Sequence, residues 1–289
     1  MPVNLTAVGK SDVGLVRKSN EDAYVIADLT GGSLVDGHRS ARFEVGRRGV
    51  LLAVSDGMGG AKAGEVASAL VVESLRRSMI RQFAVGPMDA LLEKAALRAN
   101  RDVWNSAHLP GHEHMGATLT ALFVHDRSAY IAEVGDSRAY LVRGGKIKQV
   151  TRDQSYVQLM VDSGAMSADD ARISERRSVI LQAMGVQEDV QVAMGKLELR
   201  DRDCFVICSD GLSSLVGADE IRRVVLTAGP LEAVCGQLVA LALNRGGDDN
   251  VTVIVAGVSG DLPAFAEGER LSDALQELRK FEPQVAPRS

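Results

Sequence analysis

Cysteine, excess charge and long apolar runs are all scarce in this sequence, and each absence narrows the class of protein. The 289 residues include three cysteines, which cannot form a fully paired disulfide framework and are typical of a reducing compartment. No uninterrupted apolar stretch approaches the about 20 residues that cross a bilayer. The first ten residues lack the charged and then apolar order of a signal peptide. We therefore expect a soluble, cytoplasmic protein without a membrane partner.

The charge balance and the composition are those of an ordinary globular protein. Lys and Arg number 33 against 38 Asp and Glu, and the net charge of −5 at pH 7 argues against nucleic acid as the main partner. Apolar residues make up 46% and charged residues 25% of the chain. Because no repeat, low-complexity block or linker divides the chain, we expect one domain over residues 1–258. Residues 259–289 are expected to form an appendage with one amphipathic helix at 269–281, and the protein is expected to be a monomer.

Short apolar runs bounded by Gly, Asp or charged residues predict strands, because branched side chains pack well on a pleated surface. Apolar residues at helical spacing predict helices at 63–82, 88–107, 218–226 and 231–244. Gly144 and Gly145 predict a hairpin turn. Strands and helices come in separate groups, which favours an α+β layered fold over an alternating one. The predicted strands are 50–55, 118–124, 129–134, 138–142, 204–208 and 251–258.

Acidic residues stand at the ends of several predicted strands, each beside a glycine or another small residue. A single Asp-Gly pair indicates only a turn. The repetition means more, because strand ends of one sheet lie close together and clustered carboxylates repel each other unless a cation lies between them. Ligand sets made only of oxygen select hard cations such as Mg²⁺ or Mn²⁺. The segments are Asn20-Glu21-Asp22, Ser55-Asp56-Gly57, Gly135-Asp136-Ser137, Ser209-Asp210-Gly211 and Asp248-Asp249-Asn250.

A pair of hard cations predicts phosphate chemistry. Two such ions can clamp a phosphate and lower the pKa of a shared water, which then becomes a nucleophile. A phosphate site also needs a basic residue, and Arg17, five residues before Asp22, is the candidate. Its planar guanidinium can donate to two phosphate oxygens at once. The alternative for Arg17 is an ordinary surface arginine.

Six segments, in this order, resemble the motifs of the PPM-type (type 2C) metal-dependent serine/threonine protein phosphatases. The bacterial branch of that family is the most similar. Each motif is short and unspecific by itself, but six in the family's order are specific. The resemblance extends from about residue 5 to residue 258. The segments are 14–22 (GLVRKSNED), 54–60 (VSDGMGG), 116–119 (GATL), 135–138 (GDSR), 209–212 (SDGL) and 249–252 (DNVT).

The resemblance implies a fold and a metal site. The fold is a four-layer α-β-β-α sandwich, in which two antiparallel sheets are flanked by helices and a site for two metal ions lies between the sheets. The implied metal ligands are the carboxylates of Asp22, Asp56, Asp210 and Asp249, with the carbonyl of Gly57. Asp56 would bridge the two ions.

The resemblance also implies roles for three further residues and a reaction. Arg17 would bind the substrate phosphate, Glu21 would contact metal-bound water, and Asp136 with Asp210 would hold a third, weaker ion. The reaction is the hydrolysis of phosphoserine or phosphothreonine in proteins by a metal-bridging hydroxide, with Mn²⁺ or Mg²⁺ as cofactor. The implied partners are phosphorylated proteins, including a serine/threonine kinase whose action the enzyme reverses.

Two positions depart from the family pattern. Some members carry a histidine after the Asp-Gly of the second motif as a candidate general acid, whereas this chain has Met58, which cannot donate a proton. The family also commonly has histidine after the aspartate that opens its flap, the segment that borders the substrate cleft. This chain has Gln154 there, and its flap is expected over residues 154–181.

Parts of the sequence are also compatible with other functions. A phosphoprotein-binding module with little turnover is the alternative from another class, although the complete set of carboxylates argues against it. A phosphatase of small phosphate esters could use the same site. His108, His112 and His114 could form a metal-binding loop, but solvated side chains are the simpler interpretation. Residues 31–48, a polar insertion, are expected to form a loop or hairpin.

Overall fold

The computed structural model describes residues 2–35, 39–81, 86–112, 114–266 and 268–283. The strands are β1 (Asn4–Asp12), β2 (Asp22–Asp28), β3 (Ala41–Glu44), β4 (Val50–Met58), β5 (Gly116–Ala117), β6 (Leu119–His125), β7 (Ser128–Val134), β8 (Arg138–Arg143), β9 (Lys146–Gln149), β10 (Ala193–Glu198), β11 (Cys204–Cys208), β12 (Val251–Ser259) and β13 (Leu275–Arg279). The helices are α1 (Ala61–Arg81), α2 (Met88–Ala107), α3 (Tyr156–Asp162), α4 (Ala168–Ile173), α5 (Asp210–Ser213), α6 (Ala218–Thr227) and α7 (Leu231–Asn244). Residue 82, the predicted end of the first helix, lies outside the described residues.

The strands form two antiparallel sheets. Sheet A has the order β3-β1-β12-β11-β8-β9, and sheet B has the order β13-β10-β7-β6-β4-β2, with the short β5 beside β4. At the centre of sheet A, β1 pairs with β12, so that Asn4 lies opposite Ser259 and Asp12 lies opposite Val251. None of the described helices is long and apolar enough to cross a membrane.

Three buried apolar layers hold the sheets and helices together. One lies between the two sheets, a second packs α1 and α2 on sheet B, and a third packs α5, α6 and α7 on sheet A. Strand β4 shows how its sequence fits this arrangement, because Leu52 and Val54 face the other sheet while Leu51 and Ala53 face the helices. Both faces of the strand are therefore apolar. The predicted α+β, four-layer sandwich is confirmed.

The predicted helix at 269–281 is wrong. A short 3₁₀ helix (Leu271–Ala274) leads into β13, which pairs antiparallel with β10 at the edge of sheet B. Leu271 is buried in the layer between the sheets. The apolar residues in this segment have helical spacing, but the open edge of β10 supplies unpaired backbone groups, and pairing with them decides the conformation. The segment is therefore part of the sheet and not an appendage; we call residues 271–282 the C-terminal strap.

The flap contains the two short helices α3 and α4. Its two ends are tied together, since the Tyr156 N–H donates to the Val179 carbonyl and the Leu181 N–H donates to the Gln154 carbonyl, at 2.8 and 2.7 Å. In the insertion at 31–48, β3 pairs with β1 and extends sheet A, although residues 36–38 lie outside the described part.

Candidate active site

A pocket of about 250 Å³ opens where strands of both sheets end. Seven of the acidic, basic and glycine residues that the sequence predicts for the site line this pocket together. Residues of the flap, Ser178 and Ile180, lie on its rim, as expected for a flap that borders a cleft. The predicted residues that line the pocket are Arg17, Glu21, Asp56, Gly57, Asp136, Asp210 and Asp249.

Asp22 is partly buried and is not among the residues that line the pocket. It begins β2 and stands directly opposite Asp56 in the register of β2 with β4. One of its oxygens, Oδ2, accepts a hydrogen bond from the Ser209 hydroxyl at 2.8 Å. The other, Oδ1, is buried and has no hydrogen-bond partner. All eight predicted site residues therefore belong to one region of the molecule.

Close backbone packing fixes the turn that follows Asp56. The Gly57 N–H donates to the Glu21 carbonyl at 3.1 Å, and a β carbon on Gly57 would overlap the carbonyl oxygens of Glu21 and Gly64. A β carbon on Gly64, in the first turns of α1, would overlap the Glu21 carboxylate. Glycine at these two positions lets the β4–α1 turn lie against the segment that carries Glu21 and Asp22.

Arg17 lies at the mouth of the pocket and is paired with an acidic residue. Its Nη2 is 2.8 Å from Oδ2 of Asp249, and the two side chains are 50% and 37% exposed. The loop of Arg17 is anchored by the Leu15 N–H, which donates to the Gly247 carbonyl at 2.8 Å. Gly14 permits this approach, because it has φ +80° and a β carbon there would overlap the Asp249 carbonyl.

Asn250 is a functional residue that the sequence reasoning missed. Its Oδ1 accepts from the Glu21 N–H at 2.8 Å, and its Nδ2 donates to the carbonyls of Val13 and Ser19 at 2.9 Å each. One buried amide therefore holds the Arg17 loop and the Glu21 backbone against the start of β12. The Asp249-Asn250 motif does not reveal this role, because the groups that bond to the Asn250 side chain lie more than two hundred residues away in sequence.

Thr118 links two of the acidic loops and was also missed. Its hydroxyl accepts from the Asp56 N–H at 2.9 Å and shares a hydrogen bond with the Ser137 hydroxyl at 2.7 Å. Ser137 is held a second time, since its carbonyl accepts from the Thr120 hydroxyl at 2.6 Å. The loops that carry Asp56 and Asp136 are therefore fixed relative to each other by neutral hydroxyl groups.

The acidic side chains at the site have raised pKa values. Burial is the main cause at Asp22, whose pKa is raised to about 7 although the hydroxyls of Thr252 and Ser209 oppose the shift. Burial and then the neighbouring carboxylates also raise the pKa values of Asp56, Asp136 and Asp210. Like Oδ1 of Asp22, Oδ1 of Asp210 is buried without a hydrogen-bond partner. These carboxyl groups are desolvated and repel one another, and such an environment strongly favours the binding of a cation.

The side chains surround an open pocket and not one closed position. Among the described residues, no three His, Cys, Asp or Glu side chains are already arranged around a single ion. The histidine loop also shows no such set: His108 Nδ1 lies 2.7 Å from the Trp104 carbonyl oxygen, and His112 Nδ1 lies 3.1 Å from the Ser106 hydroxyl. The structure thus pairs these imidazoles locally, away from the acidic pocket.

Comparison with known proteins identifies the family. The family model for Protein phosphatase 2C matches residues 40–232. The chain is 36% identical over 255 residues to the serine/threonine protein phosphatase PstP of Mycobacterium tuberculosis, which covers 88% of this chain and 45% of that protein. It is 31% identical over 252 residues to the protein phosphatase PhpP of Streptococcus pneumoniae, covering 86% of this chain and 96% of that protein. The chain belongs to the protein phosphatase 2C family.

A solved structure agrees with this assignment. The crystal structure of the catalytic domain of the serine threonine protein phosphatase PstP in complex with 2 manganese ions has a TM-score of 0.74 and 33% sequence identity. The match covers 89% of this chain and 100% of that one. The chain thus spans about half the length of the M. tuberculosis relative, while its match to the PstP structure covers the whole of the crystallised catalytic domain. The predicted family and fold are confirmed.

Proposed function

We propose that this chain is a metal-dependent protein phosphatase that hydrolyses phosphoserine and phosphothreonine in proteins. The observation that carries the proposal is a group of partly buried carboxylates, two of them with a buried oxygen that has no hydrogen-bond partner, beside an arginine at the mouth of an open pocket. A buried carboxylate cluster is costly unless a cation compensates it. The relatives named serine/threonine protein phosphatases support the choice of substrate class.

The residues present fit two hard divalent cations. The donors are all oxygens, which suits Mn²⁺ and Mg²⁺, and Oδ1 of Asp22 and Oδ1 of Asp210 are buried acceptors that lack a donor. Manganese in the related PstP structure supports the same choice. The two ions would be held by Asp22, Asp56, Asp210, Asp249 and the Gly57 carbonyl, with Asp56 as a ligand of both; Glu21 would act through water, and Asp136 with Asp210 would be available to a third ion.

Bound cations would supply a water of lowered pKa as nucleophile and positive charge to neutralise the phosphoryl oxygens. The chain's own residues place the substrate. Arg17 is half-exposed, so its guanidinium can leave Asp249 and donate to the phosphate that enters the pocket. Met58 lines the pocket but carries no acidic proton, so it does not protonate the departing Ser or Thr oxygen.

The rim of the pocket favours a phosphate carried on a polypeptide. Exposed apolar side chains stand beside Arg17, where Leu15 and Val16 are 68% and 65% exposed, and on the flap, where Val179 is 47% exposed. Such surfaces can contact residues that flank a phosphorylated side chain. We include serine/threonine kinases among the expected substrates, so that the enzyme reverses their action in the cytoplasm.

The test is hydrolysis of a phosphothreonine peptide by the purified protein with Mn²⁺, with Mg²⁺ and with EDTA. We expect phosphate release that requires the metal and is lost in Asp210→Asn. Asp261→Asn, on a surface ion pair remote from the pocket, is the matched control and should keep full activity. Peptide binding without release under every metal condition would replace the enzyme by a phosphoprotein-binding module. Equal specificity constants for the peptide and for a small phosphate ester would indicate an ester phosphatase, because binding energy from the peptide would then contribute nothing.

A further inference from the structure

The residue that opens the flap is clasped to the strand that leads into the Asp136 loop. The Gln154 N–H donates to the Gly135 carbonyl, and the Gly135 N–H donates to Oε1 of Gln154, both at 2.8 Å. Nε2 of Gln154 donates to the Glu133 carbonyl at 3.2 Å. The side chain of Gln154 is 1% exposed. One buried amide thus bonds to the backbone on both sides of Val134, directly before Asp136.

Two further glutamines extend this contact across the molecule. Nε2 of Gln182 donates to Oε1 of Gln154 at 2.8 Å and to the Gln191 carbonyl at 2.6 Å, while Oε1 of Gln182 accepts from the Gln191 N–H at 3.1 Å. The Gln191 side chain in turn makes two hydrogen bonds of 3.0 Å with the backbone of Glu282 in the C-terminal strap. A continuous chain of amides therefore connects the strap to Gly135.

The donors and acceptors of these linked amides determine one another's orientation. Oε1 of Gln154 accepts from two N–H groups, so a flipped amide would put its NH₂ group against both of them. The same holds for Gln182, whose amide donates to the Gln191 carbonyl and accepts from the Gln191 N–H. Because buried polar groups are costly when unpaired, the side-chain amides of Gln154 and Gln182 keep one joint orientation.

The linked amides end at Gly135, which directly precedes a residue that lines the pocket. Gly135 has φ +106°, a conformation that suits glycine, and its lack of a side chain leaves hydrogen bonds to fix its position. Asp136 follows it and lines the pocket, and Ser137 follows Asp136 and is joined through Thr118 to the backbone of Asp56. A displacement at Gly135 would therefore move Asp136 first and the Asp56 loop through Thr118.

We propose that Gln154 is a positioning residue for Asp136, and that Gln182 and Gln191 couple the C-terminal strap to it. The proposal rests on the proposed function in one respect, the role of Asp136 as a metal ligand. By this proposal the strap, none of whose described residues lines the pocket, sets the affinity of the site for its most weakly held ion. Loss of these glutamine contacts should therefore raise the Mn²⁺ concentration that catalysis requires and leave the KM for a phosphopeptide unchanged.

The test uses the full chain and two readouts that do not depend on turnover. Calorimetric titration with Mn²⁺ measures ion binding, and NMR hydrogen exchange measures protection of the Gly135 N–H. Gln154→Leu should weaken the weakest Mn²⁺ step by about 10-fold, the scale seen when partners of metal ligands are removed, and should speed exchange at Gly135. Gln154→His keeps a ring nitrogen that can accept from Gly135 and should retain most of both properties.

A double-mutant cycle tests the coupling to the strap. Gln191→Leu should weaken the same Mn²⁺ step when Gln154 is present and should have little further effect in Gln154→Leu. Gln276→Leu, on the exposed side of β13, is the matched control and should change neither readout. If Gln154→Leu does not fold, Gln154→His and Gln191→Leu still decide the matter through the same two readouts.

Two results would overturn the inference, and a third separates it from the proposed function. Unchanged Mn²⁺ binding in a folded Gln154→Leu variant would reduce the glutamines to core packing. Additive effects of Gln154→Leu and Gln191→Leu would remove the coupling. Asp136→Asn is measured beside them: if it leaves Mn²⁺ binding unchanged, the metal role of Asp136 fails, whereas an effect of Asp136→Asn without one of Gln154→Leu contradicts only the positioning role.

Discussion

The two ends of the strand pair β8–β11 treat buried charge in opposite ways. At one end, Arg143 donates to both oxygens of Asp203 at 2.6 Å, and the side chains are 4% and 0% exposed. At the other end, Asp136 precedes β8 and Asp210 follows β11, and neighbouring carboxylates add to burial in raising their pKa values, whereas Arg143 opposes the rise that burial causes in the pKa of Asp203. Arg138, two residues after Asp136, is bonded to Asp153 instead.

The difference teaches what separates a structural charge from a functional one on the same strands. Asp203 receives a guanidinium and the Arg200 N–H from the chain itself, so its charge is compensated at once. Asp210 has a buried oxygen with no donor. A carboxylate that the chain leaves uncompensated lowers stability and creates affinity for an external cation. Removing a carboxylate charge should therefore lower stability at the compensated end. At the uncompensated end it should raise the stability of the metal-free protein and lower its activity.

The largest expected effect is at the compensated end. Asp203→Asn should lower the free energy of unfolding by about 3–5 kcal/mol, because it leaves the Arg143 charge buried without a partner. Urea unfolding in EDTA measures it. Asp261→Asn, whose pair with Arg127 is more than half exposed, is the control and should change stability by less than about 1 kcal/mol. Similar losses in the two variants would mean that burial does not distinguish these pairs.

At the uncompensated end the sign should reverse. Asp56→Asn should raise the free energy of unfolding of the metal-free protein by about 1–3 kcal/mol, since it removes a desolvated carboxylate from the cluster. The same variant should lose more than about 100-fold in phosphopeptide hydrolysis, because even the partners of metal ligands contribute 10–100-fold. Added Mn²⁺ should stabilise the wild type and not the variant. A less stable metal-free variant would contradict the comparison.

Glu133 extends the comparison to a buried acid outside the pocket. Its Oε2 accepts from the Arg152 N–H at 2.9 Å, its Oε1 has no partner, and burial raises its pKa well above 4.5. Above pH 4.5 the unfolded chain loses this proton while the folded protein keeps it. Stability should therefore fall by about 1.4 kcal/mol per pH unit until the folded pKa is passed.

Glu133→Gln should remove that fall, so its stability relative to wild type should increase as the pH rises. Unfolding curves at several pH values measure the difference. Glu277→Gln, on the exposed strand β13, is the control and should follow the wild-type pH dependence. A constant difference between Glu133→Gln and wild type across the range would mean that Glu133 is ionised in the folded protein.

The smallest effect on stability is expected at Arg17. Its ion pair with Asp249 is about half-exposed, so Arg17→Ala should change the free energy of unfolding by less than about 1 kcal/mol. The KM for a phosphopeptide should rise by about 10-fold or more, because a hydrogen bond to a charged group contributes about 1.5–3 kcal/mol. Steady-state kinetics measure it, and an unchanged KM would place the phosphate contact elsewhere.

Local sequence predicted the parts of this fold that local chemistry decides. The apolar run Cys204–Cys208 and the helix Met88–Ala107 have the predicted bounds, because charged or small residues end the one and apolar periodicity defines the other. Strand β13 was missed because its conformation depends on the open edge of β10. A segment with helical spacing becomes a strand when a distant part of the chain offers backbone partners.

The candidate site divides in the same way. Aspartates at strand ends were visible in the sequence, and the structure brings them to one pocket. Asn250 and Gln154 were not assigned roles, since their function depends on backbone groups whose positions only the folded chain defines. Gln154 drew notice only as a departure from the family pattern. Neutral amides carry no charge pattern, so nothing in composition or spacing marks the ones that hold a site together.

The pairing of β1 with β12 also determines when the chain can become active during folding. Ser11 and Thr252 are hydrogen-bonded at 2.7 Å although 241 residues separate them in sequence. Contacts of such long range form late and slowly, because the loop must close before they contribute. Arg17 follows β1 and Asp249 precedes β12, so Arg17 meets Asp249 only when this contact forms. A partly folded chain therefore lacks the complete pocket and, with it, the activity proposed for the pocket.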